Sequence, residues 1–154
     1  LGSRQQVAES YTGMMKSILE RQPNARIEGV ILQEMSGPGV EVILGIKRDI
    51  SFGTLVLFGL GGIFVEIYKD VSFRIAPLSQ DCIQSMISDI QGYPILAGAR
   101  GRKKMDIAGI ADSLNRLSHL AIDLPLIKEL DINPLIVREE GSGAMAVDVK
   151  IVLS

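Results

Sequence analysis

Two stretches, Glu129-Leu130-Asp131-Ile132-Asn133-Pro134-Leu135-Ile136-Val137 and Ala144-Met145-Ala146-Val147-Asp148-Val149-Lys150-Ile151-Val152-Leu153, alternate apolar with polar side chains across a turn-like run at residues 138–143. That pattern predicts a β-hairpin. Side chains two apart on a strand share a face roughly 7 Å apart, so Asp131 and Asn133 point the same way. A turn centred between Glu140 and Gly141 sets Asn133 opposite Asp148 and Asp131 opposite Lys150. A slip of one residue would carry Asp148 to the other face. Two carboxylates and a side-chain amide suit Mg²⁺, a hard cation that takes oxygen ligands and keeps waters or phosphates in its other positions. The residues alone also allow an exposed sheet face with an Asp131–Lys150 cross-strand ion pair, Lys150 standing in for the cation.

The rest of the chain supplies partners for such a hairpin. Residues 3–21 place Val7, Tyr11, Met14, Met15, Ile18 and Leu19 at helical spacing, which predicts an amphipathic helix docked on a sheet. Apolar-rich runs at residues 27–35 and 40–48 flank Ser36-Gly37-Pro38-Gly39 and predict a second hairpin. Thr54-Leu55-Val56-Leu57-Phe58 reads as a buried strand, and Val71, Phe73 and Ile75 alternate with Ser72 and Arg74 in another. Ser79 is a candidate N-cap for a helix with Ile83, Met86, Ile87 and Ile90 inward. A last helix spans residues 106–121, and the basic, glycine-rich run at 97–104 reads as a mobile exposed loop. His119 and Cys82 fall in the helices and read as structural.

Gly59-Leu60-Gly61-Gly62 follows the strand at Thr54. Glycines let backbone N–H groups approach phosphate, since no Cβ intervenes and positive φ is accepted. The run is not a P-loop, for no Gly-Lys-Ser/Thr follows, and not a dinucleotide fingerprint, for Phe64 stands at the third glycine position and a strand pattern follows. Arg74 reads either as a phosphate contact beside this loop or as a strand arginine with a carboxylate partner.

Asp-Ile-Asn-Pro-Leu-Ile-Val with Ala-Val-Asp-Val-Lys, Phe-Gly-Leu-Gly-Gly-Ile-Phe-Val-Glu, and Lys-Asp-Val-Ser-Phe-Arg-Ile-Ala-Pro-Leu together resemble the C-terminal part of the ATP-grasp domain of ADP-forming acyl-CoA synthetases, related to the succinyl-CoA synthetase β subunit. Asp131 stands where succinyl-CoA synthetases usually carry Glu. The resemblance implies that Asp131, Asn133 and Asp148 hold the Mg²⁺ of ATP or ADP, and that Glu34 and Met35 line the adenine through main-chain groups. It also implies that Glu41 meets the ribose, and that Gly61, Gly62 and Arg74 orient phosphates. The reaction implied is acyl-CoA + ADP + phosphate to carboxylate + CoA + ATP through a phosphohistidine on a CoA-ligase domain or subunit outside this chain. The first half of the nucleotide clamp has no counterpart, so the chain is expected to be one partial ATP-grasp domain, inactive by itself. Other readings are a nucleotide-binding or scaffolding module of a regulatory protein fused to an acyltransferase, and another ATP-grasp carboxylate ligase.

Composition agrees with a packed domain: 154 residues, 47% hydrophobic and 22% charged. The expected class is α+β, a mostly antiparallel sheet with helices packed on one face. A net charge of −2 without a basic run argues against nucleic acid. One cysteine fits a cytoplasmic setting. No membrane segment is expected, because the longest uncharged stretch, residues 50–65, is shorter than the ~20 residues a membrane helix needs and holds four glycines.

Overall fold

The computed structural model describes residues 1–62 and 69–154. Where the sequence reads as one domain, the chain divides into two compact units, Leu1–Met35 and Ser36–Ser154. The strand expected directly after Gly62 lies outside the described residues.

The first unit contains helix α1, Arg4–Arg21, whose N-terminus is capped by Ser3: its Oγ accepts the Gln6 N–H at 3.2 Å. No side chain of α1 is fully buried. Residues 25–35 form neither helix nor strand, so the strand expected at 27–35 is absent.

The second unit runs β1 (Val40–Asp49), β2 (Gly53–Leu60), β3 (Val71–Ile75), α2 (Gln80–Ser88), α3 (Tyr93–Leu96), a 3₁₀ turn (Ala99–Gly101), α4 (Ile107–Asp123), β4 (Ile127–Val137), β5 (Ala144–Ala146) and β6 (Val149–Leu153). Its strands form one antiparallel sheet in the order β3-β2-β1-β4, with β5 and β6 both on the outer edge of β4. The predicted hairpin of residues 27–35 with 40–48 is thereby corrected: a strand has two hydrogen-bonding edges, and β1 gives one to β2 and the other to β4.

Helices α2 and α4 cover one face. Leu44 and Phe58 from the sheet, Ile83 and Met86 from α2, and Ile110 and Leu114 from α4 are all 0% exposed and share one core. Each such burial contributes about 1.5 to 3 kcal/mol, which fixes strand parity against a one-residue slip. Parity in β3 is the reverse of the apolar-inward reading. Ser72 is buried under α2, where its hydroxyl donates to the Met86 carbonyl at 2.7 Å, while Phe73 and Ile75 are 50% and 54% exposed on the face opposite α2 and α4.

The basic run is exposed at residues 101–104, as expected, and contains the 3₁₀ turn. Pro94 sits in the first turn of the short α3, Leu96 is fully buried, and the Met105 N–H donates to its carbonyl at 2.9 Å, which holds the intervening turn against the domain. Among the described residues no helix is long and apolar enough to cross a membrane.

Candidate nucleotide and metal site

The β4–β5–β6 hairpin has the expected centre. Val137 faces Ala144, Ile136 faces Met145 and Leu135 faces Ala146; beyond Pro134 the same register resumes with Ile132 opposite Val149 and Asp131 opposite Lys150. Between these segments the Asn133 N–H donates to the Asp148 carbonyl at 3.1 Å, and the Val147 N–H to the Pro134 carbonyl at 3.0 Å. Leu130 and Ile132, with Val149 and Ile151 opposite, lie on the α4 side, where they line a groove with Leu117 and Leu120. Alternation puts the register partners Asp131 and Lys150 on the open face; Asn133 and Asp148 sit next to them at a break in the ladder, where Val42 pairs with Leu135 but Leu44 with Ile132, and all four are exposed.

This donor set fits Mg²⁺. Two carboxylate groups and one amide oxygen leave coordination positions for water and phosphate, as Mg²⁺ prefers. Among the described residues no group of three or more His, Cys, Asp or Glu side chains converges, so nothing here resembles a closed all-protein cage. The cross-strand ion pair allowed by the sequence is not formed: Asp131 and Lys150 face each other without a contact within 4.0 Å, while one step along the sheet Lys47 pairs with Glu129 at 3.7 Å. The open face is concave here, about 360 Å³, over a floor that includes Gly45, Leu57, Phe73 and Asp131.

Asp106 holds the hairpin turn in place. As N-cap of α4 it accepts the Gly109 N–H on Oδ1 at 2.8 Å and, on Oδ2, the N–H of Gly143 in the turn at 2.7 Å. Its own N–H donates to the Arg138 carbonyl at 2.8 Å. The Gly143 and then the Gly109 N–H hold the Asp106 carboxyl below the ordinary carboxylate range, against burial, which pushes it up. Gly143 has φ +75°, a conformation that suits glycine. Sequence reasoning found the helix start at Asp106 but not this tether, because nothing local links residue 106 to residue 143.

Glu41 and the glycine run meet at the other end of the open face. The Gly61 N–H donates to the Glu41 carbonyl at 2.8 Å, and a Cβ on Gly61 would lie 2.9 Å from the Glu41 Cβ, so only glycine fits there. Gly62 adopts φ +62° beside the Glu41 carboxylate.

Arg74 requires a correction. Its register partner is the core residue Val56, so it lies on the helix-covered face, where its guanidinium donates to Ser85 Oγ at 3.1 Å and pairs with Asp89. It is a strand arginine with a carboxylate partner and does not share the face of Asp131. Glu34 and Met35 end the first unit in exposed chain that is neither helix nor strand, Met35 being 86% exposed.

Residues 1–153 match the family described as the ATP-grasp domain. The chain is 46% identical over 149 residues to the beta subunit of acetate–CoA ligase [ADP-forming] I of Pyrococcus furiosus, covering 97% of this chain and 63% of that subunit. To acetate–CoA ligase [ADP-forming] I of Archaeoglobus fulgidus it is 45% identical over 145 residues, covering 94% of this chain and 21% of the relative. A solved structure of a dinucleotide-forming acetyl-coenzyme A synthetase from Ca. Korarchaeum cryptofilum, in complex with coenzyme A and Mg-AMPPCP and with its phosphohistidine segment pointing towards the nucleotide binding site, superposes with a TM-score of 0.84 at 39% identity. That match covers 100% of this chain and 66% of the solved one. The chain thus spans less than two thirds of the curated beta subunit.

Proposed function

We propose that this chain, which belongs to the ATP-grasp domain family, is the ADP/ATP- and Mg²⁺-binding part of an ADP-forming acyl-CoA synthetase. The whole protein would convert acyl-CoA, ADP and phosphate to carboxylate, CoA and ATP. The observation that supports this reading is the hairpin register, which pairs Asp131 with Lys150 and sets Asn133 beside Asp148 through the bond from the Asn133 N–H to the Asp148 carbonyl. The relatives support it over a scaffolding module fused to an acyltransferase, because they are named as ligases. The phosphohistidine segment of the solved relative supports a partner domain or subunit that carries the histidine.

Mg²⁺, held by Asp131, Asn133 and Asp148, would offset the charge of the phosphates. Asp131 and Asp148 bring the carboxylates that hold it, and Asn133 a neutral oxygen. Glu41, through its carboxylate, accepts ribose hydroxyls, and the Gly62 N–H faces a phosphate oxygen while the Gly61 N–H stays on the Glu41 carbonyl. Glu34 and Met35 meet the adenine edge through main-chain groups. The reaction, the partner and the cytoplasmic setting belong to this proposal as well.

The test is Asp148→Asn in the full-length protein. Asp148 is exposed and near another acid, so its loss should leave the melting temperature within about 1 °C. Mg²⁺-dependent binding of ADP, read by calorimetry, should fall at least tenfold. Unchanged Mg²⁺-dependent binding would remove Asp148 from the site.

A further inference from the structure

The open face is laid out in cross-strand rows. One row runs Phe73, Leu57, Gly45, Asp131, Lys150, each residue the register partner of the next across β3, β2, β1, β4 and β6. Gly45 is the middle of this row and sits on a central strand. It lines the concavity between the apolar end and the Asp131–Lys150 end.

Gly45 lies just past the register shift between Val42 and Leu44 in the β1–β4 ladder and is itself regularly paired with Leu57 and Asp131. Gly45 is not among the positive-φ glycines. A Cβ at Gly45 would meet the Leu130 carbonyl oxygen at 3.4 Å and the Leu57 Cβ at 3.6 Å, ordinary contacts. The contrast is with Gly59, where a Cβ would fall 2.8 Å from the Asp70 carbonyl oxygen, and with Gly61. Glycine inside a strand costs roughly 0.5–1 kcal/mol relative to alanine, and where no bulge or bend demands it, it often marks the close approach of a ligand.

We infer that Gly45 is a specificity-determining residue of the nucleotide site, whose missing side chain lets the metal-bound phosphate chain lie against the sheet backbone between Leu57 and Asp131. The inference rests on the nucleotide reading above and adds a residue to it. The physical reason is the rigidity of the metal. Mg²⁺ holds its oxygens at about 2.0–2.1 Å in near-octahedral geometry. A methyl group on Gly45 would raise the floor by about one C–C bond beside Asp131, and the phosphates could not retreat by that much while staying on the ion. Lys150, at the far end of the same row, faces the same chain with its ammonium.

The test uses Gly45→Ala and Gly45→Val in the full-length protein, with Asp131→Ala as the reference. The readouts are the melting temperature, Mn²⁺ binding without nucleotide by electron paramagnetic resonance, and Mg·ADP binding by calorimetry. Gly45→Ala should melt at or above the parent temperature and bind Mn²⁺ as the parent does. Its Kd for Mg·ADP should rise at least tenfold, and further in Gly45→Val. If both variants bind Mg·ADP as the parent does while Asp131→Ala has lost it, the inference about Gly45 is overturned and the nucleotide reading stands. If Asp131→Ala also binds normally, the nucleotide reading falls and takes the inference with it. A Gly45→Ala protein that melts well below the parent, or loses Mn²⁺ in parallel with ADP, overturns the inference by making the glycine a requirement of the fold.

Discussion

Removing the Asp106 carboxylate should loosen the joint between α4 and the hairpin that bears Asp131, Asn133 and Asp148. In Asp106→Ala two hydrogen bonds to a charged acceptor disappear, those from Gly109 at 2.8 Å and Gly143 at 2.7 Å. Bonds to charged groups contribute about 1.5–3 kcal/mol each, and relief from holding a carboxylate at a site only 7% exposed offsets part of the sum. A net loss of about 3 kcal/mol follows, with roughly 1 of it the N-cap contribution to α4. For a chain of this size that is a fall in Tm of about 6–12 °C. Asp106→Asn keeps one acceptor oxygen and turns an NH₂ donor toward the other N–H, so it should lose most of the same amount; Asp106→Ser should keep the cap alone. The assay is urea and thermal unfolding by circular dichroism across pH. The folded carboxyl titrates below its unfolded value of about 3.9, so its contribution is fully present above that value and is lost as pH falls through the lower folded one. The gap between parent and Asp106→Ala should therefore be constant from about pH 7 to pH 5 and close below about pH 4. An Asp106→Ala protein as stable as the parent at pH 7, or a gap that persists undiminished at pH 2, would refute the tether.

Glu41→Ala in the full-length protein should weaken ATP and ADP together by ~1.5 to 3 kcal/mol, the loss expected for hydrogen bonds to a charged acceptor, as calorimetry would read; equal affinity would exclude Glu41 from the nucleotide site. Arg74→Met should leave nucleotide affinity unchanged, because the guanidinium lies under α2 with Ser85 and Asp89, and should lower stability by about 1 kcal/mol in urea unfolding. A selective loss of ADP binding in Arg74→Met would show that the face assignment of β3 is wrong.

What was legible in the sequence is what is local. The hairpin at residues 129–153 carries its own register, because a short turn with alternating flanks leaves one pairing that keeps Leu130, Ile132, Val149 and Ile151 together; the break in the ladder opposite Val42 and Leu44 is not written in that alternation. The cap at Ser79 and the period of β3 were equally readable, since each depends on neighbours within three or four residues, and the helix read from Asp106 begins one residue later with Asp106 as its cap. Which face of a strand is the inner one is a different kind of fact. Val71, Phe73 and Ile75 are the apolar set of β3, yet Ser72 and Arg74 turn toward the helices, because β3 must keep the parity of β2, and β2 is set by Val56 and Phe58 beneath α2 and α4. Period 2 gives two faces and no label for them; only packing supplies the label. The same holds for residues 27–35, whose apolar content suits a strand, and for β1, whose free edge was taken by β4 from far along the chain. The tether of Asp106 to Gly143 and the row that sets Gly45 beside Asp131 likewise join residues distant in sequence, and distances of that kind exist only once the sheet has closed.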